Sequence, residues 1–211
     1  MLKKSLQVLR NGLRKGLTSV MFNRYLSGLG PGSVAIDCGA NVGDISYVLG
    51  KTGATVYAFE PNPYAFEALV KRVAGFPGVT CLNKGVWDRN TTAPLYFHRE
   101  AGENEEFWSF ASSIFSNKGN VDPSRSVETE LIDLTTFIEN LEQPVDLLKI
   151  DIEGAECEVL EKMIARNLHE KVKLTLVETH DRKIPGLKEK TDHVRALIRE
   201  KGIDNIRLSW L

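Results

Sequence analysis

The chain has 211 residues, enough for one domain that buries a core without disulfides or metal to hold it. With 42% hydrophobic and 26% charged residues it is not disordered along its whole length, and a formal net charge of −1 excludes a nucleic-acid binder that works by bulk electrostatics. That total hides a split. Residues 1–36 hold six basic side chains (Lys3, Lys4, Arg10, Arg14, Lys15, Arg24) and no acidic one, so 21 basic and 28 acidic residues remain over 37–211, a net −7.

Residues 2–22 place Leu2, Leu6, Leu9, Leu13, Leu17, Val20 and Met21 at steps of three and four, which predicts an amphipathic helix with the basic residues between. Gly28, Gly30, Pro31 and Gly32 then break the chain, so residues 1–30 read as an N-terminal helical appendage and 31–211 as the main domain. Strands are predicted at 33–37, 54–60 and 79–86, with helices at 42–51 and 63–74 between them. A less regular middle follows, with extra strands at 93–98 and 127–131 around an irregular stretch, 99–126. Alternation returns with helices at 134–140, 155–167 and 188–201 and strands at 145–150, 172–178 and 205–210. Strand and helix in repetition predict a doubly wound, mostly parallel α/β sheet with helices on both faces and right-handed crossovers.

Cys38, Cys81 and Cys157 are far apart and in no metal-ligand spacing, which suits reduced thiols and a cytoplasmic location. No apolar run approaches the roughly 20 residues of a membrane span, and no apolar leader marks a secretory signal. Asn90-Thr91-Thr92 is a sequon in form only.

The first strand runs into Asp37-Cys38-Gly39-Ala40-Asn41-Val42-Gly43, a glycine-bearing turn that opens a helix and lets a ligand approach the backbone closely. The second strand ends in Glu60, seventeen residues past Gly43, where a carboxylate can accept both hydroxyls of an adenosine ribose. A dinucleotide needs a third glycine where Asn41 stands. Asp37 beside the turn repels a diphosphate but suits a cationic ligand, so the electrostatics favour S-adenosylmethionine over NAD.

Three blocks together resemble the FkbM-type family of S-adenosylmethionine-dependent methyltransferases: residues 37–43, then Phe59-Glu60-Pro61-Asn62-Pro63, then Leu147-Leu148-Lys149-Ile150-Asp151-Ile152-Glu153-Gly154-Ala155-Glu156. The resemblance covers about residues 33–180. It implies a class I methyltransferase (Rossmann-like) sheet and mostly O-methylation of sugars, polyketides and other secondary metabolites. Carried over by position, Asp37, Gly39, Asn41 and Gly43 would line the methionine part of the cofactor. Glu60 would hold the ribose, Pro61 and Asn62 would shape the adenine edge, and Val86 and Trp87 are weaker candidates for the adenine wall. Such sheets usually finish with an antiparallel hairpin, for which 205–211 leaves no room; an exposed sheet edge then points to a homo-oligomer.

Methyl transfer requires a positioned acceptor and, for a hydroxyl, a group that takes its proton. Period-two alternation sets Lys149, Asp151 and Glu153 on one side of the fourth strand's exit, so Asp151 and Glu153 are site candidates, Asp151 also for the cofactor. His180, past the fifth strand, is the best general-base candidate because an ordinary imidazole titrates near neutrality. His180, Asp151 and Glu178 together suit a divalent ion of the kind some O-methyltransferases use, but nothing in their spacing demands one, and no metal is assigned.

The segment 100–122 carries Glu100, Glu103, Glu105 and Glu106 with Phe107, Trp108, Phe110 and Phe115, the composition of a lid or of an anchored loop. Ser112-Ser113 resembles a serine pair of the family. The expected partner is a small-molecule hydroxyl acceptor, with no nucleic acid. The basic helix either caps the acidic body or lies, through residues 1–28, on anionic lipid as a peripheral membrane contact. Rival readings are a non-catalytic cofactor-binding module and an NAD-linked oxidoreductase.

Overall fold

A computed structural model describes residues 22–23, 25–99, 112–114, 119–181, 184 and 186–208. Its main sheet comprises β1 (Val34–Cys38), β2 (Thr55–Phe59), β3 (Val79–Leu82), β7 (Leu147–Ile150), β8 (Thr175–Val177) and β9 (Ile206–Leu208). The strands run in the order β3-β2-β1-β7-β8-β9, and every pairing is parallel. Strand order therefore reverses between β1 and β7, and the crevice above their carboxyl ends is where open α/β sheets take ligands.

The helices between these strands are α1 (Asp44–Gly50), α2 (Pro63–Val73), α4 (Glu156–Ala165) and α5 (Leu187–Glu200), with the short α3 (Leu134–Glu139) leading into β7. Successive strand residues serve opposite faces. Ala35, Val56 and Leu147 pack with Ile45 and Leu49 of α1. Ile36, Leu148 and Ile150 pack with Val159, Leu160 and Met163 of α4 and with Val194 of α5. Burial on both faces explains why β1 and β7 read as apolar runs interrupted only by Asp37 and Lys149.

The single strand predicted at 79–86 divides. The Lys84 amide donates to the Leu82 carbonyl, and Gly85–Trp87 leaves the main sheet as β4. Together with β5 (Thr91–His98) and β6 (Val121–Asp133), β4 forms a second sheet in the order β4-β6-β5. A Cβ at Gly85 would stand 2.4 Å from Leu131 Cδ2, so a larger residue there would require the Leu131 side chain to move. Strand β6 begins at Val121 rather than 127, inside the stretch expected to be irregular. The strand expected over 172–178 is regular only at Thr175–Val177, preceded by a lone bridge from Val145 to Val172.

The helix expected over 2–22 lies outside the described residues except for Phe22, which is fully buried against the α1 face. Phe107, Trp108, Phe110, Phe115 and residues 209–211 also lie outside them. Cys38, Cys81 and Cys157 are all free thiols. Among the described residues no helix is long and apolar enough to cross a membrane.

Candidate active site

The turn after β1 is built on left-handed backbone. Gly39 (φ 76°), Asn41 (φ 53°) and Gly43 (φ 85°) all have positive φ. Asparagine tolerates this region better than most residues, so Asn41 keeps the shape that a glycine would have provided. Gly43 packs toward α2, where an added Cβ would meet Leu69 Cδ1 at 2.8 Å. Gly39 lies against the exit of β7: a Cβ there would stand 1.8 Å from the Asp151 carbonyl oxygen.

Asp37 is fully buried beneath this turn. Its Oδ2 accepts from Ser46 Oγ at 2.7 Å, and its Oδ1 lies 3.2 Å from Lys149 Nζ. The lysine also donates to the carbonyls of Gly39 (2.7 Å) and Cys38 (3.2 Å) and pairs with Asp151 Oδ2 at 3.7 Å. Burial opposes its charge, but Asp37 and Asp151 outweigh that and raise its pKa. One buried cation thus ties the glycine turn to the end of β7.

Glu60 is held from two sides. Its Oε2 accepts from the Asn41 amide at 2.7 Å and its Oε1 from the Asn62 amide at 2.9 Å. Burial pushes its pKa up to about 7, against these two bonds, which favour the charged form. Each oxygen keeps a second lone pair. Asn62 caps α2 by accepting from the Tyr64 and Ala65 amides, and its Nδ2 donates to Ser112 Oγ at 3.0 Å. Asn83, a residue sequence reasoning missed, donates from Nδ2 to the Glu60 carbonyl at 2.8 Å and to the Pro61 carbonyl at 3.3 Å.

Beyond β7, residues 151–155 turn into α4. Glu153 takes a left-handed φ of 56°, rare for a residue of its type, and Ser113 Oγ donates to its carbonyl at 2.9 Å. Glu156 is buried, and its Oε1 accepts from the Ile152 amide (3.1 Å), the Gly154 amide (3.2 Å) and His180 Nδ1 (2.8 Å). On the ring's other side, His180 Nε2 lies 3.2 Å from Glu153 Oε2 and 3.6 Å from Asp151 Oδ1. Burial works against a charged ring, but Glu156, Glu153 and Asp151 outweigh it and push the pKa up to about 9. The imidazole that the sequence offers as the general base is thus enclosed by three carboxylates. Only the fold assembles them.

The structure therefore brings Asp37, Gly39, Asn41, Glu60, Asp151, Glu153 and His180 to the carboxyl ends of β1, β2, β7 and β8. Asp37 supports the turn from below, Gly43 serves helix packing, and the Asn62 side chain is used as a cap. Val86 is buried in the core, while Trp87 is half-buried under the Arg89 guanidinium, 4.4 Å from its ring. Lys149 and Glu156 are organisers that sequence reasoning did not assign. Their signal was a charged residue inside an otherwise apolar strand and a glutamate three residues past another at a helix start.

The family model described as the methyltransferase FkbM domain matches residues 37–203. Over 198 residues the chain is 29% identical to methyltransferase sdnD of Sordaria araneosa, covering 82% of this chain and 74% of that protein. Over 147 residues it is 30% identical to the hexuronic acid methyltransferase AglP of Haloferax volcanii, covering 68% of this chain and 54% of that protein, so it spans about half that relative's length. A solved TehB-like SAM-dependent methyltransferase from Corynebacterium glutamicum has a TM-score of 0.43 at 12% identity, over 92% of this chain and 81% of that one.

Proposed function

This chain belongs to the FkbM methyltransferase domain family, and from that premise we propose that it moves the methyl group of S-adenosylmethionine to the hydroxyl of a small molecule, a sugar or secondary metabolite. The observation that carries the reading is Glu60, anchored by the Asn41 and Asn62 amides at the carboxyl end of β2, with the left-handed turn of β1 beside it. An acid so placed suits a ribose diol. The close approach of Gly39 to Asp151 leaves backbone rather than side chains at the switch point, which suits a ligand lying across it. When bound, S-adenosylmethionine supplies an electrophilic methyl group.

The chain's own residues would position the acceptor and take its proton. Glu153 is the proton acceptor in this reading, because it is partly exposed and its strained backbone is pinned by Ser113. His180 and Asp151 orient it, His180 from a ring fixed by Glu156. The name of the Haloferax relative supports a sugar-type acceptor. Calorimetry with S-adenosylmethionine and with its demethylated product tests the cofactor; absence of binding to both at millimolar concentration rejects it. A mass gain of one CH₂ on a hydroxylated sugar or uronic acid tests the transfer.

A further inference from the structure

We propose that Ser112 and Ser113 form a strap that builds the second sheet into the active site, with Ser113 the positioning residue of Glu153. Strand β5 is an edge of that sheet, and Ser113 pairs with Tyr96 along its outer side. The Tyr96 amide donates to the Ser113 carbonyl at 2.9 Å, and the Ser113 amide to the Tyr96 carbonyl at 3.1 Å. This pairing fixes the backbone from which both hydroxyls reach.

Both serines are buried, and each hydroxyl serves a different half of the crevice. Ser112 Oγ accepts from Asn62 Nδ2 at 3.0 Å, across 50 residues of chain. Asn62 in turn donates its amide to Glu60 Oε1 and caps α2. Ser113 Oγ donates to the Glu153 carbonyl at 2.9 Å, across 40 residues. Neighbouring side chains on extended backbone leave on opposite sides, so two serines span what one could not.

The bond to Glu153 falls on a strained part of the turn. The Glu153 carbonyl and the Gly154 amide belong to one planar peptide unit. Ser113 holds its oxygen, and Glu156 Oε1 holds its N–H at 3.2 Å. Glu153 has a φ of 56°, a conformation that persists only where the surroundings over-determine it. A peptide pinned at both ends sets the direction in which the Glu153 side chain leaves the turn. The strap stands on this geometry; only its use, aiming a proton acceptor, rests on the methyl-transfer reading.

The test compares amide hydrogen exchange in the natural chain, Ser112→Ala, Ser113→Ala and Ser113→Thr, without cofactor or acceptor. Ser113→Ala should speed exchange of the Gly154 amide about fivefold or more, the scale of one lost hydrogen bond. Ser112→Ala should do the same at the Tyr64 and Ala65 amides behind the Asn62 cap, and neither variant should disturb the other's region. Ser113→Thr keeps a hydroxyl and should restore slow exchange at Gly154. Unchanged exchange at Gly154 in Ser113→Ala, acceleration throughout the molecule including α5, or no rescue by threonine overturns the proposal. In a second measurement, with S-adenosylmethionine and a uronic acid, Ser113→Ala should lower kcat about tenfold or more while S-adenosylhomocysteine affinity is unchanged. Equal losses in both overturn the positioning role. Absence of turnover by the natural chain counts against the methyl-transfer reading alone, because the exchange pattern decides the strap without it.

Discussion

The Gly39 α-carbon lies so close to Asp151 that a methyl group on it would overlap the Asp151 carbonyl oxygen, at 1.8 Å. Two turns from strands far apart in sequence thus touch backbone to backbone, with Lys149 bonded to both sides of the contact. The contact closes the floor of the switch-point crevice. It also makes Gly39 the most constrained position in the turn.

Gly39→Ala should destabilise the protein by about 2 kcal/mol or more, since it adds strain at positive φ to a clash with backbone that cannot step aside. Urea denaturation measures this. A change below half that size would mean that the two turns separate easily.

Glu60→Ala should weaken binding of S-adenosylhomocysteine about tenfold or more, the scale of a lost hydrogen bond to a charged group. Unchanged affinity by calorimetry would remove the ribose assignment. Glu60 also has a pH signature. Its pKa rises from an ordinary 4.5 to about 7 because burial disfavours the charge. The folded state therefore keeps a proton that the unfolded state releases, and the resulting stability is full below 4.5 and lost as pH climbs through 7. The stability of the natural protein relative to Glu60→Gln should fall across that interval.

Glu153→Gln removes the proposed proton acceptor while keeping the size of the side chain. Turnover should drop about 10²- to 10⁴-fold with cofactor affinity nearly unchanged. Equal losses in both would make Glu153 a structural residue of the turn.

Glu156→Ala deletes one acceptor shared by two backbone amides and a buried imidazole. A cost of about 3 kcal/mol is expected from the unpaired donors left behind. Turnover should fall further than cofactor binding, because Glu156 sets the ring plane of His180 but lies away from Glu60.

Asp133 makes none of the hydrogen bonds described for Glu60, Lys149 or His180 and serves as a control for stability. It caps α3 through the Thr135 and Thr136 amides and pairs with Lys162 at 2.7 Å. Burial opposes its charge, but Lys162 and the threonine hydroxyls hold its carboxyl well below the usual range. That stability is present above 3.8, the ordinary value, and lost as the pH falls below it. Asp133→Ala should cost about 2 kcal/mol at neutral pH and flatten the acid limb of the stability profile, with cofactor affinity intact.

Much of this was legible in one dimension. Apolar runs such as Val34–Cys38 announce strands buried on both faces, because a parallel sheet covered by helices has no polar side to show. The glycine turn, Glu60 and the block around Asp151 are local patterns, and their order along the chain identifies the strands that carry them. The division of residues 79–87 between two sheets was not legible, because a neighbour forty-odd residues away decides it: Gly85 pairs with Leu131. Nor was the early start of β6, where Val121 pairs with His98.

The sequence by itself determined the doubly wound class, the cofactor-type turn and the acids at the strand ends, since those depend on periodicity and on residue type at short spacing. Only the tertiary structure decided what the acids do. It set Lys149 under Asp37 and Asp151, used Asn62 as a cap, and closed Glu153, Glu156 and Asp151 around His180. A titratable group takes its character from charges and burial that arrive from other strands, and a sequence read residue by residue carries no distances between them.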